Sequence, residues 1–277
     1  MLVDKKFVKK IWKTREPRSH KGQNGAILVV GGSRMYFGSP ALVGFGALRA
    51  GADLAYLLVP EYISRVVASY SPDFIVWGYE GEYLSEKARA LFDELKERAD
   101  VMVIGNGLTK NKSVLEVARK FAGDWEKPLI IDADLIGVKL NLKSRNVFYT
   151  PHVVEFKRLT GKLPSASTSE RAQEVLVAAR KLRATVILKG AVDVISDGKN
   201  VALNKTGNAG MTHGGTGDVM AGVLAAFVAQ KYSDFNAACL AAHVNGLAGD
   251  LAFKKLGYSL TASDVLANLP GAILSVS

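Results

Sequence analysis

Short runs that are apolar at nearly every position, with no polar alternation, limit this chain more than any other feature. Ala26-Ile27-Leu28-Val29-Val30 leads into Gly31-Gly32, Leu54 to Val59 into Pro60, and Val101-Met102-Val103-Ile104 into Gly105. Leu129-Ile130-Ile131 leads into Asp132, and Thr185-Val186-Ile187-Leu188 into Lys189-Gly190. A strand with one face in water alternates with period two. A strand without alternation is buried on both faces, as in a parallel sheet covered by helices. Helical patterns lie between the runs. Pro40 to Ala50 opens with proline in its first turn and stops at Gly51, and Leu84 to Arg98 and Ser113 to Ala122 are amphipathic. Ser167-Thr168-Ser169-Glu170 reads as a capping box before a helix with Ala172, Val175, Leu176, Ala179 and Leu182 on one face.

Val192–Ser196 and Asn200–Asn204, joined through Asp197-Gly198-Lys199, read as an antiparallel hairpin. The rest is helical: Val219–Tyr232 and Asn236–Leu256, rich in Ala and Gly and so suited to close packing, then a short Ala262–Leu269. With 277 residues, 48% of them hydrophobic, there is ample material for a core. The expected fold is one α/β domain over residues 1–277, a three-layer αβα sandwich on a mostly parallel sheet. No apolar run reaches the roughly 18 residues of a membrane span. Met1 to Lys6 lacks the apolar core of a signal peptide. The single cysteine, Cys239, excludes an internal disulfide and cysteine-built metal sites, is expected in the core, and fits a reducing, cytoplasmic setting.

In such sheets ligands bind beyond the carboxyl ends of the strands. There the chain places Gly31 to Pro40, Gly105 to Lys110, Asp132-Ala133-Asp134, Thr150 to Glu155 after Val147-Phe148-Tyr149, and Lys189-Gly190. The most informative segment is Thr206 to Asp218, TGNAGMTHGGTGD, which enters a helical stretch. Glycines let backbone N–H groups turn inward, and a helix N-terminus adds unpaired donors and partial positive charge. Together they form an anion hole suited to phosphate. Asp218 at its entrance is a candidate base for a hydroxyl attacking a bound phosphoryl group, although aspartate is also a common helix cap. The Walker pattern is absent: Gly210 to Gly215 has the glycine spacing, but Thr216 stands where lysine is needed.

The succession GGSRMYFGSPALVGFGALRAGAD, IGNGL, IDAD, TPHVVEFKRL, LKG with Asp193, and TGNAGMTHGGTGDVMAGV resembles the ADP/ATP-dependent NAD(P)H-hydrate dehydratases, a branch of the ribokinase-like superfamily. The resemblance covers roughly residues 20–257. It implies ADP-dependent dehydration of the S-epimer of NADH or NADPH hydrate, returning NAD(P)H with AMP and phosphate. Asp218 would be the base. The nucleotide side would be Lys189, Gly190, Ala191, Val192 and Asp193 with Asn208, Ala209, Gly210, Met211, Thr212, His213, Gly214, Gly215, Thr216 and Gly217. The hydrate side would be Ser39, Gly107, His152, Val153, Val154, Glu155, Phe156, Lys157, Arg158 and Asp218.

ADP is the implied co-substrate, with ATP as the other option, together with Mg²⁺. Glu155 either holds the metal through water or caps its helix. A homotetramer is implied, with no nucleic-acid or membrane partner. Two departures stand out: GPGLG of the family reads GNGLT here, and His213 occupies a loop position that is often small or apolar. His213 is assigned no role. Some relatives carry an N-terminal epimerase domain, for which this chain has no room. The competing reading is a ribokinase-like kinase that stops at a phosphorylated metabolite or vitamin precursor. Asp132 and Asp134 read as turn or cap residues, either of which could reach the metal, and His243 as core.

The formal charge is +10, and residues 1–25 carry eight Lys or Arg against Asp4 and Glu16. A basic arm over residues 1–21 is expected, either solvated or forming a first helix. It would attract polyanions, but no aromatic-interleaved basic groove accompanies it.

Overall fold

Each uninterrupted apolar run becomes a strand with neighbours on both faces. The computed structural model describes residues 1–277. Ten strands make one sheet: β1 (Leu2–Val3), β2 (Ala26–Val30), β3 (Leu54–Pro60), β4 (Phe74–Tyr79), β5 (Val101–Ile104), β6 (Leu129–Ile131), β7 (Val147–Tyr149), β8 (Thr185–Leu188), β9 (Asp193–Ser196) and β10 (Val201–Asn204). Their order is β1-β10-β9-β8-β7-β6-β5-β2-β3-β4. All pairs are parallel except those of β9, which runs antiparallel to β8 and β10. The helices are α1 (Lys5–Ile11), α2 (Gly38–Arg49), α3 (Glu61–Ser69), α4 (Arg89–Arg98), α5 (Lys112–Asp124), α6 (Val153–Thr160), α7 (Thr168–Leu182), α8 (Thr216–Ala229), α9 (Asp234–Leu256) and α10 (Ala262–Leu274).

Strand side chains alternate between two hydrophobic clusters. Ile27, Val29, Val101, Val103, Ile130 and Ile187 face α2, α8, α9 and α10. Leu28, Val30, Met102, Ile104, Leu129 and Leu188 face α4, α5 and α7. This double burial is why period-two polarity is missing from the sequence. The first layer is Ala- and Gly-rich because its helices nearly touch. A Cβ on Gly222 of α8 would lie 2.0 Å from the Val43 carbonyl oxygen of α2, and one on Gly46 of α2 would lie 2.4 Å from that of Val219. The contact fixes where α8 begins.

Chain order reverses between β2 and β5: β3 and β4 continue to one side of β2, β5 to β8 to the other. This is a topological switch point, where a crevice opens beyond the strand ends. The two loops there are in contact, since Gly32 N–H donates to the Asn106 carbonyl at 2.8 Å.

Of the two readings of the basic N-terminus, a solvated arm or a first helix, the structure has the helix. Leu2–Val3 pairs with β10, Asp4 caps α1 by accepting Phe7 N–H, Val8 is fully buried, and Arg15 pairs with Asp53. Ser167 caps no amide, because its hydroxyl meets Ser169 while Glu170 accepts from Ser165, so the capping box is not made. The stretch from Leu84 starts with a 3₁₀ turn at Glu86–Ala88, and the final helix continues through Pro270 to Leu274. Edge strand β4 and helix α3 went unread, for β4 contains a glycine and buries only its end residues, Phe74 and Tyr79.

Candidate active site

Helix α8 starts two residues before Asp218. Its N-cap is Gly215 at φ +95°, and no side chain caps it. The first-turn amides are therefore open donors. Thr216 closes the loop from within, its hydroxyl donating to the Met211 and His213 carbonyls at 2.8 and 3.1 Å. Asn208 starts the preceding 3₁₀ turn, Ala209–Thr212, by accepting Gly210 N–H at 3.0 Å. Asp250 of α9 anchors both Gly207 N–H and the Asn208 amide. Gly210 is buried, and Met211 packs into the space left by Gly249. Ala209 and the segment Thr212 to Gly214 face solvent, with Gly215, Gly217 and Asp218 half-buried behind them.

Asp218 is the meeting point of four elements. Its Oδ1 accepts from Asn106 Nδ2 at 2.7 Å, and the Ser39 hydroxyl of α2 also stabilises its charge. Gly107 lies against Ser39, so the two hydrate-side candidates adjoin the carboxylate: a Cβ on Gly107 would sit 3.1 Å from the Ser39 Cβ. Burial pushes the Asp218 carboxyl up to about 6, and the neighbouring charge of Asp132 adds to this, against the lowering by Asn106, Ser39 and Lys189.

Lys189 reaches the same place from β8. Its ammonium lies beside Gly217, where a Cβ would be 3.1 Å from Nζ, and it pairs with Asp132 Oδ1 at 3.2 Å. Burial works against its charge, but Asp132 and Glu155 outweigh that and hold its pKa above the ordinary lysine range. Asp132 is 2% exposed and accepts from Thr150, Asn106 and Lys189. The site therefore has a phosphate-sized set of donors, namely Lys189 and the α8 amides, directly next to a carboxylate with a raised pKa.

Other candidates hold the frame. His152 Nδ1 accepts the Val154 and Glu155 N–H groups, and Glu155 Oε2 accepts His152 N–H at 2.8 Å. That capping box starts α6 and leaves His152 Nε2 3.3 Å from Glu155 Oε1. Glu155 is thus a cap here, and burial holds its pKa above the usual carboxylate range. Burial likewise holds His152 below the usual histidine range. Phe156 points into the second core cluster and is not a surface contact, whereas Val153, Val154, Lys157 and Arg158 are exposed on α6. Asp193 closes the Gly190–Asp193 turn by accepting Gly190 N–H and the Asn204 amide, with burial pushing it up to about 6. Ala191 is exposed and Val192 half-buried on that turn. His243 and Cys239 are core, as expected.

Asn106, Thr150 and Asp250 were missed, and Asp132 was undervalued. For the first two the signal was available, since each follows a strand on the ligand-binding rim. Asp250 sits in mid-helix and carries no local signal.

A mostly parallel sheet between helical layers, with a glycine loop leading into a helix whose first turn carries Asp218, is a ribokinase-like fold. The Carb_kinase family model, described as NAD(P)H-hydrate dehydratase, matches residues 27–271, and the chain belongs to that family. It is 43% identical over 265 residues to the bifunctional NAD(P)H-hydrate repair enzyme Nnr of Pyrobaculum aerophilum, covering 94% of this chain and 52% of the relative. The chain spans about half the length of that and similar bifunctional relatives. Against the ADP-dependent (S)-NAD(P)H-hydrate dehydratase of Nitrosopumilus maritimus it is 39% identical over 267 residues, with 95% and 93% covered. The crystal structure of the ADP/ATP-dependent NAD(P)H-hydrate dehydratase from Bacillus subtilis, co-crystallised with ATP/Mg²⁺, superposes with a TM-score of 0.87 at 24% identity. It covers 100% of this chain and 98% of that one, a likeness that establishes the fold. No helix is long and apolar enough to cross a membrane.

Proposed function

We propose that this chain uses ADP to remove water from the hydrated nicotinamide ring of S-NADH hydrate or S-NADPH hydrate. The observation that carries the reading is the placement of Asp218 between Ser39 and Gly107 on one side and Lys189 with Gly217 on the other. Asp218 takes the proton from the C6 hydroxyl as its oxygen attacks the terminal phosphoryl group of ADP. The bond to AMP breaks. The amides of Gly214 to Gly217 and the Lys189 ammonium stabilise charge on the transferring group. Phosphate then leaves C6, driven by the ring nitrogen lone pair, and loss of a C5 proton restores the double bond. Hydroxide leaves poorly and phosphate well, which is why a nucleotide is consumed. Transfer and elimination share one pocket, so the hydroxyl must be held in line.

Mg²⁺ accompanies the nucleotide in this reading. No group of three or more His, Cys, Asp or Glu is arranged to hold a metal by itself. An ion of this kind is bound chiefly by phosphate oxygens and water, with one or two carboxylates near it. Glu155, besides capping α6, is the carboxylate proposed for a water-mediated contact, and the ion would neutralise phosphate charge. The proposal also takes the chain as one domain and the enzyme as a cytoplasmic homotetramer, following the family resemblance.

Incubating the protein with S-NADH hydrate and ADP is expected to restore dihydronicotinamide absorbance and release AMP and free phosphate. A stable phosphoester, with no recovery of absorbance, would establish a kinase instead. A pH profile supplies a second check. A base must be ionised, so with Asp218 near 6, kcat/KM should be flat above about pH 7 and fall about tenfold per unit below 6. Full turnover at pH 4.5 would remove the base from this role.

A further inference from the structure

Asn106 occupies the most constrained position in the site. Its side chain is 0% exposed. Nδ2 donates to Asp218 Oδ1 at 2.7 Å and to Asp132 Oδ2 at 2.9 Å. A side-chain amide has two N–H groups, and both are directed at carboxylates. Its Oδ1 is buried with no partner. Turning the amide over would set that oxygen against two anions, so the orientation is fixed by charge. A buried acceptor left unpaired costs stability, and one found in a native fold calls for an explanation. The backbone explains only the location of the residue: its carbonyl accepts Gly32 N–H and ties the loops after β2 and β5 together.

We propose that Asn106 is a positioning residue for Asp218, which it aims by bridging that carboxylate to Asp132. The proposal rests on Asp218 being the base. The charged groups facing Asp218 are Asp132 beyond β6 and Lys189 beyond β8, and Ser39 of α2 adds a neutral hydroxyl. Glu155 and His152 of α6 act one step further out, on Lys189 and Asp132. The amide does two things in that setting. It fixes which way the Asp218 carboxylate points, and it places two donors between that carboxylate and the charge of Asp132. Without it, Asp218 would be free to rotate and would hold its proton to higher pH.

The test is Asn106→Ala in the full chain, with folding checked by circular dichroism. The expected kcat is lower by roughly 10- to 100-fold, as misaligned reacting groups produce. The acid limb should move up by about one pH unit, while the Kd for ADP changes less than about threefold. Added to Asp218→Asn, the same change should cause no further loss, because residues acting as one unit are non-additive. Should Asn106→Ala not fold, the isosteric Asn106→Asp keeps the shape and replaces both donors with a third anion. Its acid limb should move further in the same direction. Wild-type kcat with an unmoved acid limb in the folded variant would overturn the proposal, provided Asp218→Asn is inactive. If Asp218→Asn itself turns over normally, the base reading fails first and this proposal with it.

Discussion

Asp218→Asn is expected to lower kcat by about 10²- to 10⁴-fold while ADP still binds. Asparagine has nearly the same shape and can still accept the hydrogen bond from Asn106, so the geometry at the start of α8 should survive. What disappears is the ability to take a proton. Stability supplies an independent readout of the same carboxylate. Its folded pKa of about 6 lies above the ordinary value of 3.8, so the native state binds the proton more tightly than the unfolded chain does. The wild-type protein therefore loses stability as pH rises from about 4 to about 6. The asparagine variant lacks that loss. It should match the wild type below pH 4 and exceed it above pH 6, on the order of 1 kcal/mol for a half-buried group. Thermal melts at pH 4 and pH 7.5 measure the difference. Near-normal turnover would remove Asp218 as the base, and a variant less stable at neutral pH would mean that the carboxylate is held by favourable contacts.

Lys189→Ala should raise the Kd for ADP by about 30-fold, the equivalent of about 2 kcal/mol for a lost charged contact. The hydrate KM should change less than about threefold. The lysine stands beside Gly217 and balances Asp132, so its loss also leaves a buried anion with only Thr150 and Asn106 as partners. A second effect follows from its lowering of the Asp218 pKa: the acid limb of the pH profile should move upward. Lys189→Arg keeps the charge and serves as the control for folding. Titration calorimetry with ADP gives the binding change directly. A larger loss for the hydrate than for ADP would mean that the two sides of the pocket are exchanged.

The glycine loop was readable because its geometry is local. Gly214 to Gly217 and Asp218 lie next to one another in the chain, and the donors are backbone groups whose direction follows from a glycine turn entering a helix. Ser39, Gly107 and Lys189 were found as positions following strands, and the resemblance gave them sides. The stretch His152 to Arg158 shows what a linear motif leaves out. His152 and Glu155 cap one another and Phe156 enters the core, although the segment reads as continuous. A helix turns its residues through all directions, so a contiguous motif on one cannot face a ligand at every position.

Which of its two readings the basic N-terminus would take was not legible, for a related reason. Net charge says nothing about Val3 and Val8, and those two apolar side chains dock the segment against β10 and α9 despite the lysines around them.

Sequence by itself determined the central strands, their mostly parallel class, and the glycine turn that leads into α8 with its aspartate. Those properties follow from burial on both faces and from glycine conformations, each set within a few residues. Tertiary structure alone decided that β5 lies beside β2, and so that Asn106 meets a carboxylate 112 residues away. It also decided that Asp132, Lys189 and Asp218 come together, and hence the raised pKa of the Asp218 carboxyl. Desolvation and the field of neighbouring charges depend on distances through space, which the order of residues along a chain does not contain.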